Sequence, residues 1–99
     1  MASGSIKAKT DSGWQNITMD GKIIYRLVDS IVYLRIDGYS MTSTHATITI
    51  PSAIAPPVII NPFARSGDTL VQSWIDGTTL HLYASTAMTN VGGFVSYPL

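Results

Sequence analysis

The best chemistry in this chain sits on one short hairpin, where Gln72, Trp74, His81 and Tyr83 fall on a common face. Thr69–Asp76 folds back on Thr79–Ala84 through a two-residue turn. That pairing puts Val71, Ile75, Leu80 and Leu82 on one side, the core side. Leu70, Gln72, Trp74, His81 and Tyr83 then occupy the reverse, with Trp74 next to or opposite His81. An aromatic face covers the C–H side of a pyranose, and amide and imidazole groups satisfy its hydroxyls, so the patch suits sugar recognition. Trp and Tyr are equally enriched at subunit interfaces. Both readings stay open, and a site at the junction of two subunits would use the same side chains. A three-residue loop with a bulge would flip one strand and undo the arrangement.

Catalytic chemistry finds less support. No G-x-S-x-G elbow occurs. Ser73, Asp76 and His81 share the hairpin, but Ser73 points inward and His81 outward, so no triad forms. A paired-carboxylate glycosidase needs two carboxyls facing each other across a cleft. All six acids are Asp, and Asp11, Asp20, Asp29, Asp68 and Asp76 sit at turns, where Asp is structurally favoured. Asp37 before Gly38 ends a strand in the same way. His45, read as a loop residue, and His81 are the only histidines, cysteine is absent, and neither H-x-x-x-H nor EF-hand spacing appears. The expectation is therefore a binding protein with no catalytic residues, no metal and no cofactor.

The elements that position the patch are short strands. Turn signals recur at the spacing typical of a sandwich or barrel. The expected strands are Trp14–Met19, Lys22–Val28, Ile31–Asp37, Ala46–Ile50, Val58–Ala64, Thr69–Asp76, Thr79–Ala84 and Gly93–Tyr97. Turns fall at Asp20-Gly21, Asp29-Ser30, Arg65 to Asp68 and Asp76-Gly77-Thr78. Apolar residues nowhere recur with helical period beside a cap, so no helix is expected. Pro51, Pro56 and Pro57 hold the segment between the fourth and fifth strands as extended loop, because proline cannot donate to a ladder. The fold class is all-β, a small antiparallel sandwich or barrel of about eight short strands.

Lys22 to Ile36, KIIYRLVDSIVYLRI, carries a second message. Pairing about Asp29-Ser30 aligns Leu27 with Val32, Tyr25 with Leu34 and Ile23 with Ile36, six apolar residues on one face. The opposite face carries Ile24, Val28, Ile31 and Tyr33, with Arg26 and Arg35 as its charges. A small antiparallel sheet ordinarily covers one face and wets the other. Ninety-nine residues make one domain and do not furnish two cores, so another copy of the chain is the simplest cover for the Ile24, Val28, Ile31 and Tyr33 strip. Apolar residues are 45% and charged residues 12%, with six bases balancing six acids. That balance leaves no electrostatic footprint for nucleic acid or an anionic membrane. No apolar run is long enough to span a bilayer, and Met1 to Gly13 has no signal-peptide core.

The order of motifs resembles a known family. A Trp near the start precedes a Tyr25-Arg26 strand, a short turn and an I-V-Y-L-R-I strand. A polar loop leads to Ile50-Pro51 and Pro56-Pro57. A strand ending Trp74-Ile75, the Asp76-Gly77 turn, Leu80-His81-Leu82 and a closing aromatic strand follow. This resembles the C-terminal head domain of bacteriophage tail-fibre and baseplate receptor-binding proteins, especially of siphophages infecting Gram-positive bacteria. The resemblance runs from about Trp14 to Leu99 and rests on order and spacing, since each motif alone is unspecific. It implies a small β-sandwich or barrel that assembles as a homotrimer on a virion, beside other tail or baseplate proteins, and binds a bacterial cell-wall or surface saccharide. Met41 to Thr49 departs from the family's Gly-rich pattern, and no sugar-binding residue carries over by motif. Residues 1–13 then read as a leader or linker, with residues 1–5 a cloning scar, and residues 14–99 as the head domain. A structural baseplate or fibre module that binds only protein is the alternative.

Overall fold

A tight turn sets the geometry of the first hairpin. In the computed structural model, which describes residues 10–99, strands β2 (Ile23–Val28) and β3 (Ile31–Tyr39) pair antiparallel in the expected register. Leu27 faces Val32, Tyr25 faces Leu34, and Ile23 faces Ile36. Asp29 and Ser30 both adopt positive φ, 49° and 71°, as the mirror-image turn of a twisted hairpin requires. The Asp29 carboxylate accepts bonds from the Thr10 amide and hydroxyl at 2.9 and 3.0 Å. The Ser30 carbonyl accepts the Leu99 amide at 2.9 Å. Both ends of the described chain are thus tied to this turn. Residues 10–13 also run beside β2, with an Asp11–Val28 bridge and the Ser12 amide donating to the Leu27 carbonyl. The expected scar and the leader up to residue 9 lie outside the described residues.

The remaining strands are β1 (Gln15–Asn16), β4 (His45–Thr49), β5 (Phe63–Ser66), β6 (Thr69–Leu70), β7 (Gln72–Asp76), β8 (Thr79–Tyr83) and β9 (Val91–Pro98). They form a large sheet of six strands in the order β1-β2-β3-β9-β5-β6 and a small sheet of three, β4-β8-β7. All pairings are antiparallel. The described residues hold no α-helix, only a 3₁₀ turn at Ser52–Ile54. The architecture is all-β with both sheets lining one core, compatible with the expected sandwich.

Several expected strands differ in extent. Thr69–Asp76 is divided at Val71, whose amide donates to the Ala64 carbonyl while its side chain is buried. The chain passes there from the large sheet to the small one. Leu70 consequently leaves the hairpin face expected for it and lies opposite Arg65 in the large sheet. Val58–Ala64 forms no continuous strand. Val58 and Ile59 are exposed, Ile60 makes a single bridge with Ile75, and β5 begins only at Phe63. Pro57 and Pro62 explain this, because neither can donate to a ladder. Asp37 does not end β3; the strand continues to Tyr39 through a bulge at Gly38, where φ is +76°. Trp14–Met19 contracts to Gln15–Asn16, and Asp20 accepts the Lys22 amide and the Thr18 hydroxyl in the turn that follows.

Ile23, Val32, Leu34, Ile36, Ala64 and Val91 from the large sheet meet Ala46, Ile48, Ile75, Leu80 and Leu82 from the small one, all buried. Tyr25 and Leu27, expected in this core, pack against its margin and stay half-buried. Two polar groups lock the layers together. The buried Ser73 hydroxyl donates to the Pro62 carbonyl at 2.6 Å, and the Tyr97 hydroxyl donates to the Ile54 carbonyl at 2.6 Å. At Gly93 a Cβ would overlap the Phe63 carbonyl and stand 2.9 Å from the Ala64 Cα, so only glycine lets β5 approach β9.

Leu34 is 1% exposed, and Leu34→Ala should cost about 2–5 kcal/mol in a urea titration, a large share of a small domain's stability. Tyr25→Ala should cost less, because the ring is half in water. Burial pushes the Tyr97 phenol up to about 12 from an ordinary 10. The folded chain therefore holds a proton that the unfolded chain releases, and this stabilisation, complete below pH 10, is lost as pH rises from about 10 to about 12. Urea midpoints measured across that range should fall in the wild type. Tyr97→Phe should be less stable at neutral pH, by about 1–3 kcal/mol for the orphaned Ile54 carbonyl, and should show a shallower decline.

Candidate functional site

Register alone brings the sequence-predicted residues together. Across β7 and β8, Trp74 lies opposite His81 and Gln72 opposite Tyr83. Asp76 pairs with Thr79, so the hairpin closes through Gly77-Thr78, with Gly77 at φ +59°. The two-residue turn keeps both strands in phase, and Ser73, Ile75, Leu80 and Leu82 turn inward. Gln72 and Tyr83 are exposed, and Trp74 and His81 half-buried, on the outer face of the small sheet. The Trp74 and His81 rings stack with centroids 4.5 Å apart and planes 8° from parallel. Side chains on paired strands have little freedom to separate, so the platform is built before any ligand arrives.

His45 completes the patch, and its reading as a loop residue is corrected here. It opens β4, one residue before the expected start of that strand, and lies opposite Tyr83. Its Nε2 is 2.9 Å from His81 Nδ1, in a hydrogen bond with one ring as donor and the other as acceptor. Its ring meets Tyr83 edge-on at 6.1 Å and lies 5.7 Å from Trp74. Thr47, Thr49 and Thr79 continue the face as hydroxyls, and Asp76 marks its far end. The Thr-rich sequence of β4 hid this role. A histidine at the rim of a polar segment has no local signal, and its contact with His81 spans 36 residues.

Ser73, Asp76 and His81 do not converge. The Ser73 hydroxyl is buried against Pro62, while His81 faces outward. Among the described residues no three of His, Cys, Asp and Glu gather at one point.

Ile24, Val28, Ile31 and Tyr33 lie on the outer face of the large sheet, turned away from the core they flank. Ile24, Val28 and Ile31 are half-buried: Asn16 lies opposite Ile24, Asp11 bridges Val28, and Ile31 lies opposite Pro98 of β9. Part of the cover expected from another copy thus comes from this chain. Phe63, Phe94 and Leu70 extend the same face as an exposed apolar run, with the two phenyl rings 6.0 Å apart. Sequence reading missed this run, because the β5–β9 pairing that joins Phe63 to Phe94 connects distant segments.

An open cleft of about 320 Å³ at the other end of that face is lined by Asp11, Trp14, Arg26, Val28 and Tyr33. Asp11 pairs with the Arg26 guanidinium, Nε to Oδ1 at 2.9 Å, and raises the Arg26 pKa above its ordinary value. Arg35 lies over the Trp14 ring at 5.8 Å. Asp11 takes the turn position expected of it, its Oδ1 accepting the Gly13 amide at 2.9 Å, but its neighbours in sequence carry no sign of the ion pair.

No protein-family model matches the chain, and neither curated proteins nor solved structures yield a match.

If Trp74 serves a surface platform, Trp74→Ala should destabilise the fold by no more than about 1.5 kcal/mol, the scale of one aromatic stack. A loss of about 3–5 kcal/mol in chemical denaturation would instead assign the ring to core packing.

Proposed function

We propose that the chain is a head domain of a bacteriophage tail-fibre or baseplate protein and attaches the virion to a saccharide of the bacterial cell wall or surface. The observation that carries this reading is the outer face of the small sheet. There a stacked Trp74–His81 pair, Tyr83, Gln72 and His45 set flat aromatic area beside hydrogen-bonding groups. A pyranose offers the matching surface, an apolar C–H face ringed by hydroxyls. The order of motifs from Trp14 to Leu99 agrees with such a head. In this reading the domain is a binding module, not an enzyme, and it uses no cofactor.

The assembly is a homotrimer closed through the outer face of the large sheet, using part of the Ile24, Val28, Ile31 and Tyr33 strip together with Phe63, Phe94 and Leu70. Exposed apolar runs of this kind are uncommon on monomers, which supports the choice of face. Because the Trp74 patch lies on the other sheet, closing the trimer leaves the saccharide face open. Each site binds weakly, at about 10 µM to 1 mM, since a sugar exchanges strong hydration for a few hydrogen bonds and one stacked face. Rigid presentation of several sites raises the working avidity by orders of magnitude. A structural tail or baseplate module that binds only protein is the second reading, favoured by the same Phe63–Phe94–Leu70 run.

Tryptophan fluorescence during titration with host cell-wall polysaccharide should saturate for the wild type and not for Trp74→Ala, while light scattering returns the trimer mass for both. Dissociation of Trp74→Ala would make the patch an interface. Unchanged binding by that variant would move the site to the Trp14 cleft, and no binding by the wild type would favour the protein-only module. Phe94 is 64% exposed, so Phe94→Asp should leave the fold intact and reduce the mass to that of a monomer. A wild type that is monomeric at tens of micromolar would overturn the trimer.

A further inference from the structure

At the junction of β4 and β8 two metal-ligating nitrogens face each other. His45 Nε2 and His81 Nδ1 are 2.9 Å apart, with ring centroids at 5.2 Å and planes 32° from each other. We propose that these two nitrogens form a chelating site for a divalent late transition-metal ion, on the outer face of the small sheet.

The separation fits. Two nitrogens each about 2.0–2.1 Å from a metal stand about 2.9 Å apart at a right angle and about 3.4 Å apart at the tetrahedral angle. The right angle is that of neighbouring positions in tetragonal Cu²⁺ and Ni²⁺ complexes, so the separation suits these ions; the 5.2 Å centroid distance sets the two nitrogens head-on, and each ring turns by about 45° to aim its lone pair at a shared ion. Zn²⁺ needs the pair to open by a few tenths of an ångström. In the metal-free pair one proton lies between the rings. A metal beside the pair requires both lone pairs, so the proton moves to the outward nitrogen of its own ring.

The surroundings hold the imidazoles and admit a cation. His81 is braced by the parallel Trp74 ring at 4.5 Å, and His45 by the edge of Tyr83 at 6.1 Å. Both residues belong to paired strands, so little conformational freedom is lost on chelation. The strands HATIT, QSWID and TLHLY of the small sheet contain no Lys or Arg. Arg26, Arg35 and Arg65 all lie on the large sheet. Among the described residues, the strands of the face that would receive the ion therefore bear Asp76 and no Lys or Arg. Two protein ligands leave further positions for water or for oxygen donors of a bound molecule, and imidazole is a preferred ligand for Zn²⁺, Cu²⁺ and Ni²⁺ alike. The inference does not depend on saccharide recognition.

Nickel chloride titrated into the untagged full chain, without saccharide, tests it. Nickel should quench tryptophan fluorescence saturably, because Trp74 stacks on one ligand and lies 5.7 Å from the other. His45→Gln and His81→Gln should each raise the midpoint tenfold or more with unchanged circular dichroism, and Zn²⁺ should reverse the quenching in the wild type. His45 is exposed at a strand end, so its variant gives a clean comparison if His81→Gln perturbs the stack. Equal midpoints in wild type and His45→Gln, or no saturable quenching in the wild type, would overturn the site. Saccharide titration of metal-stripped protein fails or succeeds independently, which keeps the two proposals distinguishable.

Discussion

The pairing of β2 with β3 is the constraint on which the rest of the molecule depends. Side chains alternate across a strand, so a slip of one residue would exchange every inward side chain for an outward one. The Asp29-Ser30 turn prevents that slip by fixing Val28 opposite Ile31. Ile23, Val32, Leu34 and Ile36 are then committed to the core and Ile24, Arg26, Tyr33 and Arg35 to the outer face. β9 reads its own register from β3, with Val95 against Leu34 and Tyr97 against Val32, and β5 reads its register from β9. The order set at one turn thus passes across the large sheet. The turn is also where Thr10 and Leu99 are fastened, so both ends of the described residues reinforce the place where the register is decided.

Val71 couples that sheet to the small one. Its amide remains in the large sheet's hydrogen bonding while the next residue begins β7 of the small sheet. Ser73 then fills its one donor inside the core by reaching the Pro62 carbonyl, a proline-flanked segment that no strand can pair fully. Among the described residues every buried side-chain polar atom has a partner, which is why a short, proline-interrupted connection is tolerated between two layers. Had Val71 continued straight, Leu70 and Gln72 would have shared a face and the patch would have been larger and more apolar.

The division of the surface follows from the same two-layer arrangement. Arginines and large apolar rings gather outside the large sheet, and threonines, histidines and Trp74 outside the small one. These faces point away from each other across a shared core, so one can be buried in an assembly while the other stays wet. In the proposed reading, that separation would relieve the conflict between recognising a ligand and recognising another copy.

The amino-acid sequence by itself determined the strands with strict alternation and tight turns, because period and turn chemistry are local. The β2–β3 register, the inward set Val71, Ile75, Leu80 and Leu82, and the outward set Gln72, Trp74, His81 and Tyr83 were all legible in this way. Tertiary structure decided whatever depended on a partner far along the chain. The split at Val71, the approach of β5 to β9 that demands Gly93, the Asp11–Arg26 pair and the His45–His81 contact each join segments whose own patterns carry no trace of the other. A residue's periodicity records which face it takes. What it meets across that face is set only when the sheets close around a common core.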